Sequence, residues 1–242
     1  KMKCALFLGM GLGKTVTTLT AACRLLDNLS VSKVLIIAPL RVANTVWKQE
    51  AANWEHLQHL NIGIATGNAA ERKAILDSNC DIYVTNRENV QWIVDNFDWC
   101  WDMVVIDESS SLKSHAAKRF KALKKVLKDI ESVVLLTGTP SPNGLLDLWS
   151  QIFLIDSGKR LGRNITAYRN RFFRQAGFRG YTYEIIEGAA ETIQDLISDV
   201  CMAMRVEDYL ELPDKMIVSE RVQLPDTAMS QYKSLEKQFF LA

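Results

Sequence analysis

Gly9-Met10-Gly11-Leu12-Gly13-Lys14-Thr15 is the stretch on which the reading of this chain turns. A short apolar run, Cys4-Ala5-Leu6-Phe7-Leu8, precedes it, and a helical pattern from Val16 to Leu26 follows. Strand, glycine loop and helix in that order are the layout of a phosphate-binding loop. Gly11 and Gly13 let the backbone turn tightly and bring its N–H groups close to phosphate oxygens. A helix starting at Lys14 adds the positive end of its dipole. The Lys14 ammonium can reach β- and γ-phosphates, and the Thr15 hydroxyl can hold Mg2+. The strict form of the loop has Gly at position 8, where this chain has Leu8, so the match is to the shorter G-x-G-K-T. A glycine-rich turn that binds nothing is the competing explanation.

Outward from the loop, strands alternate with helices. Lys33 to Ala38, Ile62 to Thr66, Asp81 to Thr85, Met103 to Asp107 and Ser132 to Thr137 read as strands. The continuous apolar runs at Lys33 to Ala38 and Met103 to Asp107 suit strands buried on both faces. Val42 to Trp54, Ala69 to Leu76 and a stretch from about Ala116 to Ile130 read as helices. That alternation predicts a parallel α/β sheet over roughly the first 155 residues. Beyond Leu154 the pattern becomes mostly helical, at Ile165 to Gln175 and Ala189 to Val200. Met216 to Leu224 reads as a strand and Thr227 to Phe240 as a closing helix.

Composition narrows the classes. The 242 residues are 48% hydrophobic and 24% charged, with a formal net charge of +1. There is no global basic field, so any nucleic-acid contact must come from local patches. The five cysteines form no C-x-x-C pair and read as reduced intracellular thiols. His56 and His59 form H-x-x-H without an accompanying Cys or further His in sequence, which argues against a metal site. Lys1-Met2-Lys3 imitates the start of a signal peptide, but the apolar run behind it is too short. No run approaches the roughly 18 apolar residues of a membrane helix. The first motif lies almost at residue 1, as it would in a piece of a longer protein.

Two further strand ends carry chemistry. Val104-Val105-Ile106-Asp107-Glu108 delivers adjacent carboxylates at the tip of a strand, the Walker B arrangement. Asp107 would hold Mg2+, and Glu108 would orient or deprotonate an attacking water. Leu136-Thr137-Gly138-Thr139-Pro140 places small hydroxyl residues beside Gly at the next tip. There they can sense a phosphate and relay its presence by hydrogen bonds.

As an ordered set these stretches resemble superfamily 2 helicase-like ATPases. G-M-G-L-G-K-T, A-P-L at 38–40, I-D-E-S at 106–109 and L-T-G-T-P at 136–140 are similar to motifs I, Ia, II and III. T-G-T-P-S-P-N-G-L-L-D-L-W at 137–149 narrows the resemblance to the Swi/Snf family, through Asn143, Asp147, Leu148 and Trp149. Ser111-Leu112-Lys113 and the stretch from Met204 to Pro213 fit the same family, and the wording L-F-L-G-M-G-L-G-K-T is closer to phage and bacterial members than to eukaryotic remodellers.

The resemblance implies a RecA-like lobe over 1–158, a family-specific helical insertion over 159–212, and a bridge toward a second RecA-like lobe over 213–242. It implies ATP and Mg2+ held by Gly11, Leu12, Gly13, Lys14, Thr15 and Val16 with Thr137, Gly138 and Thr139. Lys14, Asp107 and Glu108 would be catalytic, with Thr15 and Asp107 on the metal. It implies a cytoplasmic protein that hydrolyses ATP to move along duplex DNA. A strand-separating or restriction-associated helicase, or a module that binds without hydrolysis, are the alternatives. An arginine would come from the second lobe, so the 242 residues alone are expected to be nearly inactive.

Departures from the family pattern stand beside it. Motif II ends in Ser109-Ser110 where the family has Ala-His or Gly-His, which leaves its link to the rest of the motor open. Gly9 stands where an acidic residue is usual, and the adenine-recognition motif is not within the chain. Arg41 and Arg87, just past strand tips, sit at family positions that touch the DNA backbone. Lys159 to Arg179 is rich in Arg and aromatic residues and suits phosphate contacts or lobe docking equally. The candidate duplex contacts are therefore Arg41, Arg87, Lys113, Arg169 and Arg171. Lys118, Lys121, Lys125 and Lys128 read as the solvated face of an amphipathic helix. Trp47, Trp54 and Trp149 read as core.

Overall fold

The computed structural model describes residues 3–176, 182–205, 208, 218–220 and 223–239. In chain order the elements are β1 (Lys3–Leu8), α1 (Lys14–Asp27), β2 (Val34–Ala38), α2 (Leu40–Asn53), β3 (Ile62–Ala65), α3 (Ala69–Leu76), β4 (Ile82–Asn86) and α4 (Val90–Asn96). There follow β5 (Met103–Asp107), α5 (Lys118–Val126), β6 (Ser132–Leu136), α6 (Leu148–Asp156), α7 (Ile165–Phe172), β7 (Phe173–Ala176), β8 (Thr182–Ile185), α8 (Ala189–Ile197), β9 (Cys201–Met204) and α9 (Asp226–Phe239).

Seven strands form one sheet in the order β3-β4-β2-β5-β6-β1-β9, and every neighbouring pair is parallel. The apolar runs read from sequence become its centre: β2, β4 and β6 are buried at every residue. Each strand feeds both faces by alternation. Val34, Ile36, Met103, Val105 and Val134 pack with Leu19 and Cys23 of α1 and Trp47 of α2. Leu35, Ile37, Val104, Ile106 and Val133 pack with Phe120 and Leu123 of α5 and with α6. The result is helix, sheet, helix, the expected α/β layering. Residues 1–209 form one unit, and the described part of 210–242 is chiefly α9.

Where structure and expectation differ, long-range packing is the reason. α4 is seven residues long, too short for a periodic pattern to stand out. α6 is buried at all nine residues and so has no polar face to betray a helix. α5 ends at Val126 and is extended by a short 3-10 turn. The helix expected to reach Gln175 stops at Phe172, because Phe173–Ala176 pairs antiparallel with Thr182–Ile185. The 159–212 stretch, expected to be helical, thus also contains a hairpin and β9. Cys-Met-Ala-Met has little strand propensity of its own and is extended by parallel pairing with β1. Of the strand expected at Met216 to Leu224, residues 218–220, 223 and 224 are described and belong to no strand, and the other four lie outside the described residues.

Candidate functional site

Sheet order makes β5, β6 and β1 neighbours, so their carboxyl ends bring three separate motifs to one edge. In open α/β sheets ligands bind beyond these ends. Asp107 pairs in register with Leu136, and Leu6 pairs with the same Leu136 from the other side. Thr137 N donates to Leu6 O at 3.2 Å. A Cβ on Gly138 would stand 3.4 Å from Leu8 O and 3.8 Å from Gly9 Cα, so the 137–139 turn lies close against the start of the glycine loop.

Gly11 (φ 81°) and Gly13 (φ 72°) take left-handed backbone that other residues adopt at a cost. Gly13 is the N-cap of α1, no side chain caps that end, and no acidic residue sits in the first turn. First-turn N–H groups have no intrahelical partner, which suits an anion. Lys14 folds back along the loop, its Nζ donating to Leu8 O at 2.7 Å and Gly9 O at 2.9 Å. Thr15 and Val16 follow in the first turn of α1, each half-buried, and Leu12 is half-buried in the loop.

Asp107 ends β5 half-buried. Burial, and then the neighbouring Glu108 charge, push its carboxyl above the usual range; the Glu108 N–H, the Trp47 indole and Lys14 pull partly the other way. Glu108 N donates to Asp107 Oδ1 at 3.0 Å. Glu108 itself is left-handed, at φ 51°, a strained conformation for a residue with a Cβ. Its Oε2 accepts from Thr137 Oγ1 at 3.3 Å, and Thr137 Oγ1 in turn accepts from Thr139 N at 3.1 Å. Thr137 is fully buried. The uncapped helix end, the lysine in the loop and a half-buried carboxylate of raised pKa together fit an Mg2+–phosphate group. The donor set, one hydroxyl and one carboxylate, is the oxygen chemistry Mg2+ prefers.

Asp107→Asn is expected to raise the melting temperature of the metal-free chain near neutral pH. The folded pKa lies above the ordinary value. The native state therefore holds this proton more tightly than the unfolded chain. Its stabilising contribution is complete below the ordinary carboxylate pKa and is lost as pH rises through the raised one. Asparagine removes the half-buried charge and keeps an oxygen for Glu108 N. The gain should vanish at acid pH, where Asp107 is protonated. Calorimetry across pH checks it, and a neutral-pH melting temperature below that of the parent would refute it.

Sequence alone gives Ser109 no partner, does not single out Gln151, and places Trp47 only as core. Ser109 Oγ donates to Gln151 Oε1 at 2.8 Å, with both residues fully buried. Ser109 thus ties the end of β5 to α6. The one signal for it in the chain is a polar pair, Ser150-Gln151, inside the apolar run of α6. Trp47 is core as expected, its buried indole N–H beside the Asp107 carboxylate but outside ordinary hydrogen-bond geometry. Trp149 is also core, its Nε1 donating to Gly162 O at 2.9 Å. Trp54 is not core; it is 44% exposed and bonds Glu50.

The cations divide. Arg41 follows β2, Arg87 follows β4 and Lys113 follows the short turn after β5, and β4, β2 and β5 are adjacent in the sheet. Arg41 and Lys113 are exposed; Arg87 lies 3.4 Å from Glu88. Arg169 and Arg171 stand on α7, over the rings of Tyr183 and Phe172. Within the Arg-rich stretch, Arg160 pairs with Asp156 and Asp199, and Arg174 with Glu184. Arg179 lies outside the described residues. On α5, Lys118, Lys121 and Lys125 are exposed and Phe120 and Leu123 buried, the solvated-face arrangement. His59 lies within 4.8 Å of Cys23 and Asp27, a grouping the sequence does not reveal. Among the described residues no helix is long and apolar enough to cross a membrane.

Known proteins bear on this geometry. Protein p41 of Acyrthosiphon pisum secondary endosymbiont phage 1 is 37% identical over 249 residues, covering 96% of this chain and 53% of p41. The CHD3-type chromatin-remodeling factor CHR7 of Arabidopsis thaliana is 29% identical over 62% of this chain and 13% of its own length. The Sulfolobus solfataricus SWI2/SNF2 ATPase core in complex with dsDNA shares the fold, with a TM-score of 0.68 and 24% identity over 85% of this chain and 40% of that one. The chain spans about half or less of the length of these relatives. All of it, residues 1–242, matches the family described as the SNF2-related domain. With the seven-stranded parallel sheet and the three motifs at its edge, that match identifies the chain as a member of the SNF2 family of helicase-like ATPases.

Proposed function

We propose that this chain is the ATP-binding lobe of a DNA-dependent ATPase that moves along duplex DNA without separating its strands. The observation that carries the reading is the meeting of Lys14, Asp107, Glu108 and Thr137 at three adjacent strand tips. Lys14 exchanges its two carbonyl acceptors for β- and γ-phosphate oxygens. The first-turn N–H groups of α1 cradle the same phosphates, and Gly138 and Thr139 face them from the neighbouring tip. Thr15 and Asp107 would hold Mg2+, which when bound neutralises charge developing on the β- and γ-oxygens. Glu108, held through Thr137, orients the attacking water and takes its proton as the water oxygen bonds to the γ-phosphorus and the bond to the β-phosphate oxygen breaks. The opposing arginine belongs to a second lobe, as the family resemblance implies.

Arg41, Arg87 and Lys113 line one half of the same sheet edge, which supports sequence-independent contact with a duplex backbone. Binding should then weaken steeply with salt, with a log–log slope of about −0.9 per phosphate neutralised. Replacing all three by Ala should make the slope shallower by roughly one for each phosphate no longer neutralised. Fluorescence anisotropy with duplex DNA across a salt series measures it. An affinity unchanged by salt, or a slope unchanged in the triple variant, would dismiss this surface. In the same preparation, phosphate release by the 242 residues should stay near background with or without duplex. Strong DNA-stimulated release would show that no second lobe is needed.

A further inference from the structure

α6 is apolar on almost every side, yet it carries adjacent polar side chains, Ser150 and Gln151, at 1% and 0% exposure. A buried primary amide is unfavourable unless each of its polar groups is bonded. Gln151 meets that condition. Its Oε1 accepts from Ser109 Oγ at 2.8 Å, and its Nε2 donates to Pro140 O at 2.6 Å and Asp147 O at 3.1 Å. Ser150 Oγ donates to Leu112 O at 2.6 Å, at the far end of the turn that starts at Ser109. Arg119 Nε of the α5 helix donates to Ser111 O of that turn at 3.0 Å.

These bonds close a ring. Glu108 is joined by its own peptide bond to Ser109. Ser109 bonds Gln151, Gln151 bonds Pro140, and Pro140 follows Thr139 in the chain. Thr139 N bonds Thr137, and Thr137 returns to the Glu108 carboxylate. Glu108 sits in this ring with left-handed backbone, a conformation that persists only where its surroundings over-determine it.

We propose that Ser109 and Gln151 are positioning residues: they fix the Glu108 backbone and couple it to the 137–140 turn, so that both strand tips respond to nucleotide as one unit. This rests on the nucleotide site proposed above. It gives motif II of this chain a specific onward connection, through a serine and a buried amide, where its sequence departs from the family pattern.

A purely structural role predicts something different. Replacing both members of a buried polar pair by apolar groups of similar shape can be nearly neutral for stability. Ser109→Ala with Gln151→Leu removes that pair and breaks the coupling; it also takes the donor from Pro140 O and Asp147 O, so circular dichroism is run first to show that the variant folds. The experiment is hydrogen exchange of the 242-residue chain with and without Mg2+ and a non-hydrolysable ATP analogue. In the parent, peptides covering 107–113 and 137–147 should both gain protection on adding nucleotide. In the double variant 107–113 should still respond, and 137–147 should lose the part of its response that lies beyond Thr139, around the Pro140 and Asp147 carbonyls that Gln151 holds.

Ser109→Ala alone, which removes a single oxygen, should act in the same direction and guards against a double variant that does not fold. In the full-length protein, turnover should fall about ten- to a hundred-fold, with KM for ATP little changed. A double variant whose 137–147 response matches the parent's would overturn the coupling while leaving the site reading intact. A parent with no nucleotide response at all would overturn both.

Discussion

Glu108→Gln is expected to cut phosphate release by the full-length protein about 10²–10⁴-fold while nucleotide binding stays close to that of the parent. The introduced amide oxygen could still accept from Thr137 Oγ1, and the left-handed backbone at this position would be held by the same neighbours. What disappears is the negative charge and the ability to take a proton. A loss confined to kcat would identify an interaction made in the transition state rather than in binding. Steady-state phosphate release in saturating duplex, with nucleotide affinity measured by calorimetry, separates the two quantities. Turnover within a few-fold of the parent would remove Glu108 from the proposed chemistry and send the search to another base at the same edge. Thr137→Ala offers a milder version of the experiment. It removes one hydrogen bond to the carboxylate, so Glu108 keeps its charge and loses part of its orientation.

Lys14→Ala is expected to abolish measurable Mg2+-dependent nucleotide binding by the 242 residues. Hydrogen bonds to a charged group contribute about 1.5–3 kcal/mol each. A lysine reaching two phosphates thus supports roughly 3 kcal/mol or more, at least about a hundred-fold in affinity. The ammonium is already inside the loop, 2.7 Å and 2.9 Å from two backbone carbonyls, so little chain rearrangement is needed to redirect it. Those carbonyls lose their donor in the variant, but both bonds are only partly buried, and the fold should survive. Calorimetry of both proteins with ADP and Mg2+ is the measurement, with circular dichroism as the check on folding. Equal affinities would mean that the glycine loop is only a strand–helix turn.

Local pattern alone determined much of this protein. The strand–glycine–helix layout around Lys14 needed no tertiary information, because tight turns demand Gly and a helix start advertises itself by periodicity. The apolar runs of β2, β5 and β6 announced strands buried on both faces, and their alternation with helices fixed the parallel α/β class. Asp107, Glu108 and Thr137 could be singled out because each stands where such a run ends.

The tertiary structure decided what those residues do to one another. Nothing in the order of the chain states that β6 lies between β5 and β1, and that neighbourhood alone brings a hydroxyl at 137 to a carboxylate at 108. β9 is extended through its pairing with β1, since Cys-Met-Ala-Met has no strong preference for a strand. α6 hid because a helix buried on all sides loses the polar face that makes helices legible. With it hid Gln151, whose value depends wholly on partners 42 and 11 residues away. Periodicity reports which way a side chain faces relative to its near neighbours. A hydrogen bond across the core depends on how distant segments pack, and the sequence on its own carries no such distance.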